Sequence, residues 1–416
     1  MCRSAFLFLL FLILSCSSND DVVVDETNEE EFVENPDTPE EQTLFTPCEN
    51  GMAGIFPCNG YDLMANIPLS TFSAEEANDI WGWTDTSTGK EYALMGVDDG
   101  TVFIDISETE NLLYLGKLPT ATVASPWRDI KVYGDVAYIV SEARDHGVQV
   151  FDLTQLRDTS NAPKIFSANA RYTGLGNAHN IVINENTGFA YPVGTAVDDA
   201  YNGGVHFLDL SDPLMPFLAG GWGENGYTHD AQVITYNGPD TEYVGSEIFV
   251  GANEDRVVIV DISNKQAPME LATLPYPNVE YTHQGWFTED HRYFILGDEL
   301  DEARLGFRTR TLIFDMTDLN NPVLHDTYLG PTSAIDHNGY VKGDEFFLAN
   351  YTAGVRVLDI SGIGEQNISE KAFFDTYPLD NNTKFAGVWS VYPYFESGKI
   401  IISDINNGFF VIQKSN

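Results

Sequence analysis

The chain predicts an all-β fold, a seven-bladed β-propeller with four-stranded blades. Three observations predict it. A motif that opens a strand recurs seven times at near-constant spacing. A second strand, of the form apolar-apolar-Asp, recurs between those starts. The last copy lacks its fourth strand, and a spare strand stands ahead of the first copy.

The opening strands read NDIWGW from Asn78, RDIKVY from Arg128, HNIVIN from His179, HDAQVI from His229, HQGWFT from His283, HNGYVK from His337 and WSVYPY from Trp389. These starts are 50, 51, 50, 54, 54 and 52 residues apart. The second landmark places aspartates at Asp105, Asp152, Asp209, Asp261, Asp315 and Asp359, and the seventh copy, GFFVIQK, carries Gln413 instead. Between 177 and 212, alternating apolar residues end at Asn/Gly turns such as Asn186-Thr187-Gly188, which is the pattern of successive strands. A solenoid has a shorter period, a sandwich shows no regular recurrence, and period-2 patterning excludes a helical array. No single blade buries both its faces, so the repeats are expected to form one domain.

Closure follows from the count. The last copy stops after its third strand, Gly408 to Lys414. The run YDLMANIPLS from Tyr61 resembles outermost strands such as YLGKLPT and ELATLPY. Residues 61–69 are therefore expected to complete the seventh blade and join the two ends of the ring.

Residues 1–15 carry Arg3 and then an apolar run too short for a permanent membrane span, which suits a signal peptide. The segment ends Ile13-Leu14-Ser15-Cys16, resembling a bacterial lipobox and implying lipid on Cys16; an ordinary signal peptide that contains a cysteine is the alternative. Residues 16–44 then read as an acidic, disordered tether or a merely solvated leader, with the propeller at 45–416. The formal net charge of -42 argues against nucleic acid and anionic lipid as partners and is compatible with bound cations. Once Cys2 and Cys16 are set aside, Cys48 and Cys58 remain; in an exported chain they are expected to form a disulfide, since two thiolates at that spacing fit no common zinc pattern.

The stretches PCENGMAGIFPCNGYDL, WRDIKVYGD, GNAHNIVINENTGFAYPVGT, GYTHDAQVITYNGPD and YTHQGWFTEDHRYFILGDELDE resemble the choice-of-anchor B family, built from LVIVD-type repeats. The resemblance runs from about Cys48 to the C-terminus. It implies a propeller displayed on a Bacteroidetes-type outer membrane through an N-terminal lipid. It implies no established reaction.

Usual catalytic signatures are missing from the sequence: no Gly-x-Ser-x-Gly elbow, no His-Glu-x-x-His, no phosphate-binding Gly-x-x-x-x-Gly-Lys. What remains is positional. His179, His229, His283 and His337 hold one point of four consecutive repeats, with Arg128, Trp389 and Asn78 in the other three places. Opening strands line a propeller's channel, so these side chains are expected on one rim. Glu142, Asn253, Asp298, Glu299, Asn350 and Asp404 follow second strands and should reach the same face. Imidazoles and carboxylates gathered there suit one divalent metal ion or general acid–base work. Trp127, Tyr227, Tyr281 and Trp389 could stack on a ligand.

The plainer reading is that each histidine bonds to a neighbouring blade. Each is followed by a polar residue, and strand alternation sends only one of each pair inward; both assignments are open. His146, His206, His291 and His325 read as turn, packed or solvated residues, and the third-strand aspartates as caps of the turn that follows rather than calcium ligands. The favoured function is a monomeric surface module holding a small ligand or another surface protein at the channel mouth through a divalent metal. The rivals are a metal-dependent enzyme, by fold-level analogy with carotenoid-cleaving oxygenases, and a purely structural envelope protein.

Overall fold

The computed structural model describes residues 44–415. The expected signal peptide, the lipidated Cys16 and nearly all of the acidic tether lie outside them. The described chain closes into seven antiparallel blades. The first four innermost strands are Ala77–Asp85, Arg128–Tyr133, Asn180–Asn184 and Asp230–Thr235. Thr282–Phe287, Gly339–Lys342 and Val388–Tyr392 are the innermost strands of blades five to seven. Each begins within two residues of the start read from the repeat.

The seventh blade closes as its missing strand requires. Tyr61–Ile67 pairs antiparallel with Gly408–Lys414, from Tyr61 opposite Lys414 to Ile67 opposite Phe409. The strand stops two residues short of expectation because Pro68 ends it and a single helical turn, Leu69–Phe72, follows. Two edges are longer than the repeat foretells. Lys164–Ile165 adds a parallel strand to blade one. The hairpin of Met52–Ala53 and Phe56–Asn59 adds two strands to blade six, with Cys58 opposite Phe374.

That hairpin carries the Cys48–Cys58 disulfide, with Cα atoms 6.0 Å apart. The Asp62 carboxylate accepts from the Cys48 amide at 2.8 Å and from the Ser415 hydroxyl at 2.7 Å, so it ties stapled hairpin, closing strand and chain end together.

The core is divided. Seven apolar wedges fill the seven spaces between neighbouring blades. Ile80, Val102, Ile401 and Val411 hold the closing seam, and Val182, Phe207, Phe249 and Val258 hold the space between blades three and four. A strand buried on both faces must be apolar on both, which is why these strands read as near-continuous runs of Val, Ile and Phe. The six repeated aspartates cap their turns as expected. Asp105, Asp209 and Asp261 accept from the amide two residues on at 3.0, 2.7 and 2.9 Å, and Asp152, Asp315 and Asp359 do the same at 3.0, 2.9 and 3.0 Å. No helix among the described residues is long and apolar enough to cross a membrane.

Candidate metal centre at one mouth of the channel

The four histidines form an arc. Ring centroids lie 4.2 Å apart for His179 and His229, 4.5 Å for His229 and His283, and 4.4 Å for His283 and His337, each pair tilted by about 43°. Trp389 continues the arc, edge-on to His337 at 4.8 Å. Local backbone geometry explains why alternation does not hold here. His179, His229 and His337 stand just before the regular inner strands, while in blades one, five and seven the ladder slips between Ala77 and Ile80, Thr282 and Gln284, and Val388 and Ser390. A slip inserts an unpaired residue and re-aims its side chain. In blades three and six both members of the pair therefore reach the channel. His179 with Asn180, and His337 with Asn338, line one small cavity of about 10 Å³. The expectation of one inward residue per pair is corrected in those two blades, where the histidine stands ahead of the regular strand.

Three of the histidines have their tautomer set. His229 Nδ1 faces the His283 carbonyl at 3.2 Å, and His337 Nδ1 faces the Trp389 carbonyl at 2.6 Å. A carbonyl only accepts, so Nδ1 carries the proton and Nε2 keeps its lone pair. His179 Nδ1 meets the Glu142 carboxylate at 2.6 Å. Burial opposes charge on His179, but Glu142 outweighs it and raises its pKa. Burial and the neighbouring imidazoles push His229 and His283 well below the usual value, and burial takes His337 down to about 3. The arc thus holds one histidine paired with a carboxylate, its pKa raised, and three rings whose pKa is lowered.

Glu299 faces two of those neutral rings. Its Oε2 lies 3.7 Å from His283 Nε2 and its Oε1 lies 3.6 Å from His337 Nε2. These are too long for hydrogen bonds. They approach the edge of a tetrahedral site, about 3.4 Å when each donor stands about 2.1 Å from a shared ion. The three donor atoms all fall within 4.8 Å of one another. Tyr351 donates to Glu299 Oε1 at 2.9 Å, and burial raises the Glu299 carboxyl to about 7.

Other expected residues stand elsewhere. Asp298 accepts from the Tyr276 hydroxyl and from the amides of Glu280 and Tyr281, so it is occupied with its own loop. Asp404 accepts from Thr376 and from the amides of Asn406 and Asn407, capping a turn. Neither is brought to the arc; in blades two and five the residue just past the second strand, Glu142 or Glu299, meets the histidines instead. Tyr281 stands edge-on to His229 at 5.1 Å, Tyr227 is half-buried, and Trp127 is exposed.

Arg128 fills blade two's place in the ring. It is buried, donates to the Val97 carbonyl at 3.3 Å and reaches His146 Nε2 at 3.1 Å. His146 follows a turn, as its sequence suggests, but its side chain is fully buried, and sequence reading gave it no role. Its Nδ1 donates to the Gly147 carbonyl, leaving Nε2 to accept from the guanidinium. No signal in the sequence marks that partnership, since residue 128 opens blade two's inner strand and residue 146 lies in the loop before its third. Also missed was the opposite end of the channel. Three residues beyond the arc, the inner strands place Trp81, Trp286, Tyr340 and Tyr392, and a pocket of about 320 Å³ opens there. The motifs NDIWGW, HQGWFT, HNGYVK and WSVYPY carried that signal at one fixed offset.

No family model matches the chain, and no curated protein matches it. Solved structures do. The β-propeller domain of Cps50 (Swd1) from Myceliophteria thermophila superposes with a TM-score of 0.52 at 9% identity, covering 86% of this chain and 100% of that one. A candidate 6-phosphogluconolactonase from Bacteroides fragilis superposes with a TM-score of 0.50 at 13% identity, covering 79% and 88%. At such identity the likeness is one of fold. The chain is a seven-bladed β-propeller, an architecture suited to a binding or interaction module.

Proposed function

We propose that this propeller is a lipid-anchored surface module that binds its ligand at the histidine mouth through a divalent transition metal held by His283, Glu299 and His337. One observation carries the reading: two neutral imidazole Nε2 atoms stand 3.6 and 3.7 Å from the two oxygens of one half-buried carboxylate, with no hydrogen bond between them. Supporting it, the His337 Nδ1 proton is tied to a carbonyl, the usual outer partner of a metal-bound histidine. A cavity of about 10 Å³ beside His283 and His337 has room for a water but not for a substrate, which favours binding over catalysis. The ligand would then rest on the mouth, against Trp127, Tyr227, Tyr281 and Trp389. Display at the surface rests on the lipobox-like Ile13-Leu14-Ser15-Cys16 and the acidic residues behind it.

Metal content by mass spectrometry, on protein purified without chelator, tests the centre. Wild type should carry close to one divalent ion per chain, and His283→Ala with His337→Ala close to none. Equal, near-zero content in both after incubation with zinc, nickel or cobalt would sink the reading. Protease added to intact cells tests display: the wild type should be shaved, and Cys16→Ala released or mislocalised.

A further inference from the structure

The opposite mouth offers a second site with different chemistry. Inner strands run alike in every blade, so residues three and more places beyond the arc lie deeper, toward the other face. The pocket there, about 320 Å³, falls within the size range of small-molecule sites. Aromatic side chains form one half of its wall: Trp81, Trp286, Tyr392 and Tyr394. They hold one another edge-to-face, Trp81 against Tyr392 at 5.1 Å and Trp286 against Tyr340 at 5.0 Å, so the cage is built before a ligand arrives. Val132, Val182, Ile183 and Val233 supply the aliphatic half.

Charge selects the occupant. The one cation in the lining, Lys131, is already engaged: its ammonium lies 2.6 Å from Asp129 and 3.3 Å from Asp79, and 4.5 Å from the centre of the Trp81 ring. It has no charge left over for an anion, and its place over Trp81 shows that this cage accepts ammonium against its rings. The one carboxylate in the lining, Glu185, is exposed at the rim, and no cation among the described residues pairs with it. Aromatic faces carry negative potential and attract cations. An acidic chain of net charge -42 concentrates cations and repels anions.

We infer that the aromatic pocket of Trp81, Trp286, Tyr392 and Tyr394 binds an organic cation, a protonated or quaternary amine on an apolar body, with Glu185 as its counter-charge. The inference goes beyond the metal reading and does not depend on it.

Calorimetric titration of the full chain with benzyltrimethylammonium, benzyl alcohol and phenylacetate tests it. These probes share a ring and differ in charge. The cation should bind, the neutral alcohol about fivefold more weakly and the anion more than tenfold more weakly, because only the first gains from ring faces and carboxylate together. Trp286→Leu should weaken the cation at least about tenfold, and Glu185→Gln about threefold with a flattened dependence on salt. Glu185 is a surface residue, so that variant keeps its fold and reports even if Trp286→Leu does not. Chelator should leave every affinity unchanged, which separates this site from the metal centre. Equal binding of cation and neutral probe, tighter binding of the anion, or no loss in Glu185→Gln would overturn the inference.

Discussion

The two mouths of the channel come from the same seven strands, a few residues apart, and they solve different problems. At the histidine mouth, strand ends and bulges release side chains from the ladder, and four imidazoles, an arginine and two carboxylates crowd together. At the aromatic mouth the strands are regular, and alternation alone turns Trp81, Trp286 and Tyr392 inward. Between them lies a charged floor, Lys131 with Asp79 and Asp129. Burial raises Asp79 strongly while Lys131 opposes it; Asp129 is lowered and accepts from the Ile181 amide at 2.7 Å. The comparison teaches that irregular backbone gathers polar donors, whereas regular backbone builds an apolar cage.

The harshest way to break that comparison is to open the ring. Deleting Tyr61–Ile67 removes the seventh blade's outer strand and exposes the edge of Gly408–Lys414. Both mouths should be lost together, with cooperative melting replaced by aggregation in calorimetry and light scattering. A soluble deletion that melts like wild type would show that the blades do not depend on closure.

Next in size is the floor. Lys131→Met leaves two carboxylates in a site with no counter-charge, and the loss of one partner from a buried pair costs about 3–5 kcal/mol. Thermal denaturation should show that loss, and Asp129→Asn added to it should restore part of it. If Lys131→Met alone is neutral, water reaches the floor and the two ends are not insulated.

A third measurement separates the mouths by pH. Metal needs Glu299 ionised, and burial holds its proton to about pH 7, while His337 stays neutral down to about 3. Below the carboxyl's pKa a proton competes for the site, so metal affinity should fall about tenfold per pH unit as pH drops through 7. Binding of benzyltrimethylammonium at the other mouth should barely change over pH 6 to 8. A metal isotherm flat to pH 5 would remove Glu299 from the centre.

The smallest effect concerns the arc's other carboxylate. Glu142→Gln ends the ion pair with His179 but leaves His283, Glu299 and His337 intact, so metal affinity should change by less than about threefold, the scale of a half-exposed ion pair. A loss as large as that of Glu299→Gln would show that the arc binds as one unit.

What the sequence determined by itself is what repeats. Seven starts, six capping aspartates and one orphan strand were legible because a blade's local chemistry is written anew in each copy, and the closing strand showed itself by its absence from the last. The Cys48–Cys58 pair was legible by elimination, but not the pairing of its hairpin with blade six, which depends on Phe373 and Phe374 more than three hundred residues away. Tertiary structure alone decided the site. A slip at His283 and the strand ends beside His179 and His337 set which side chains reach the mouth, and sequence alternation carries no record of either. Only the closed ring put Glu299, from a second strand of blade five, between histidines of blades five and six, and turned Asp298 beside it toward its own loop. Distances of 3.6 and 3.7 Å between blades arise from how the wedges of Val, Ile and Phe seat each sheet against the next, a packing property of the whole circle rather than of any one repeat.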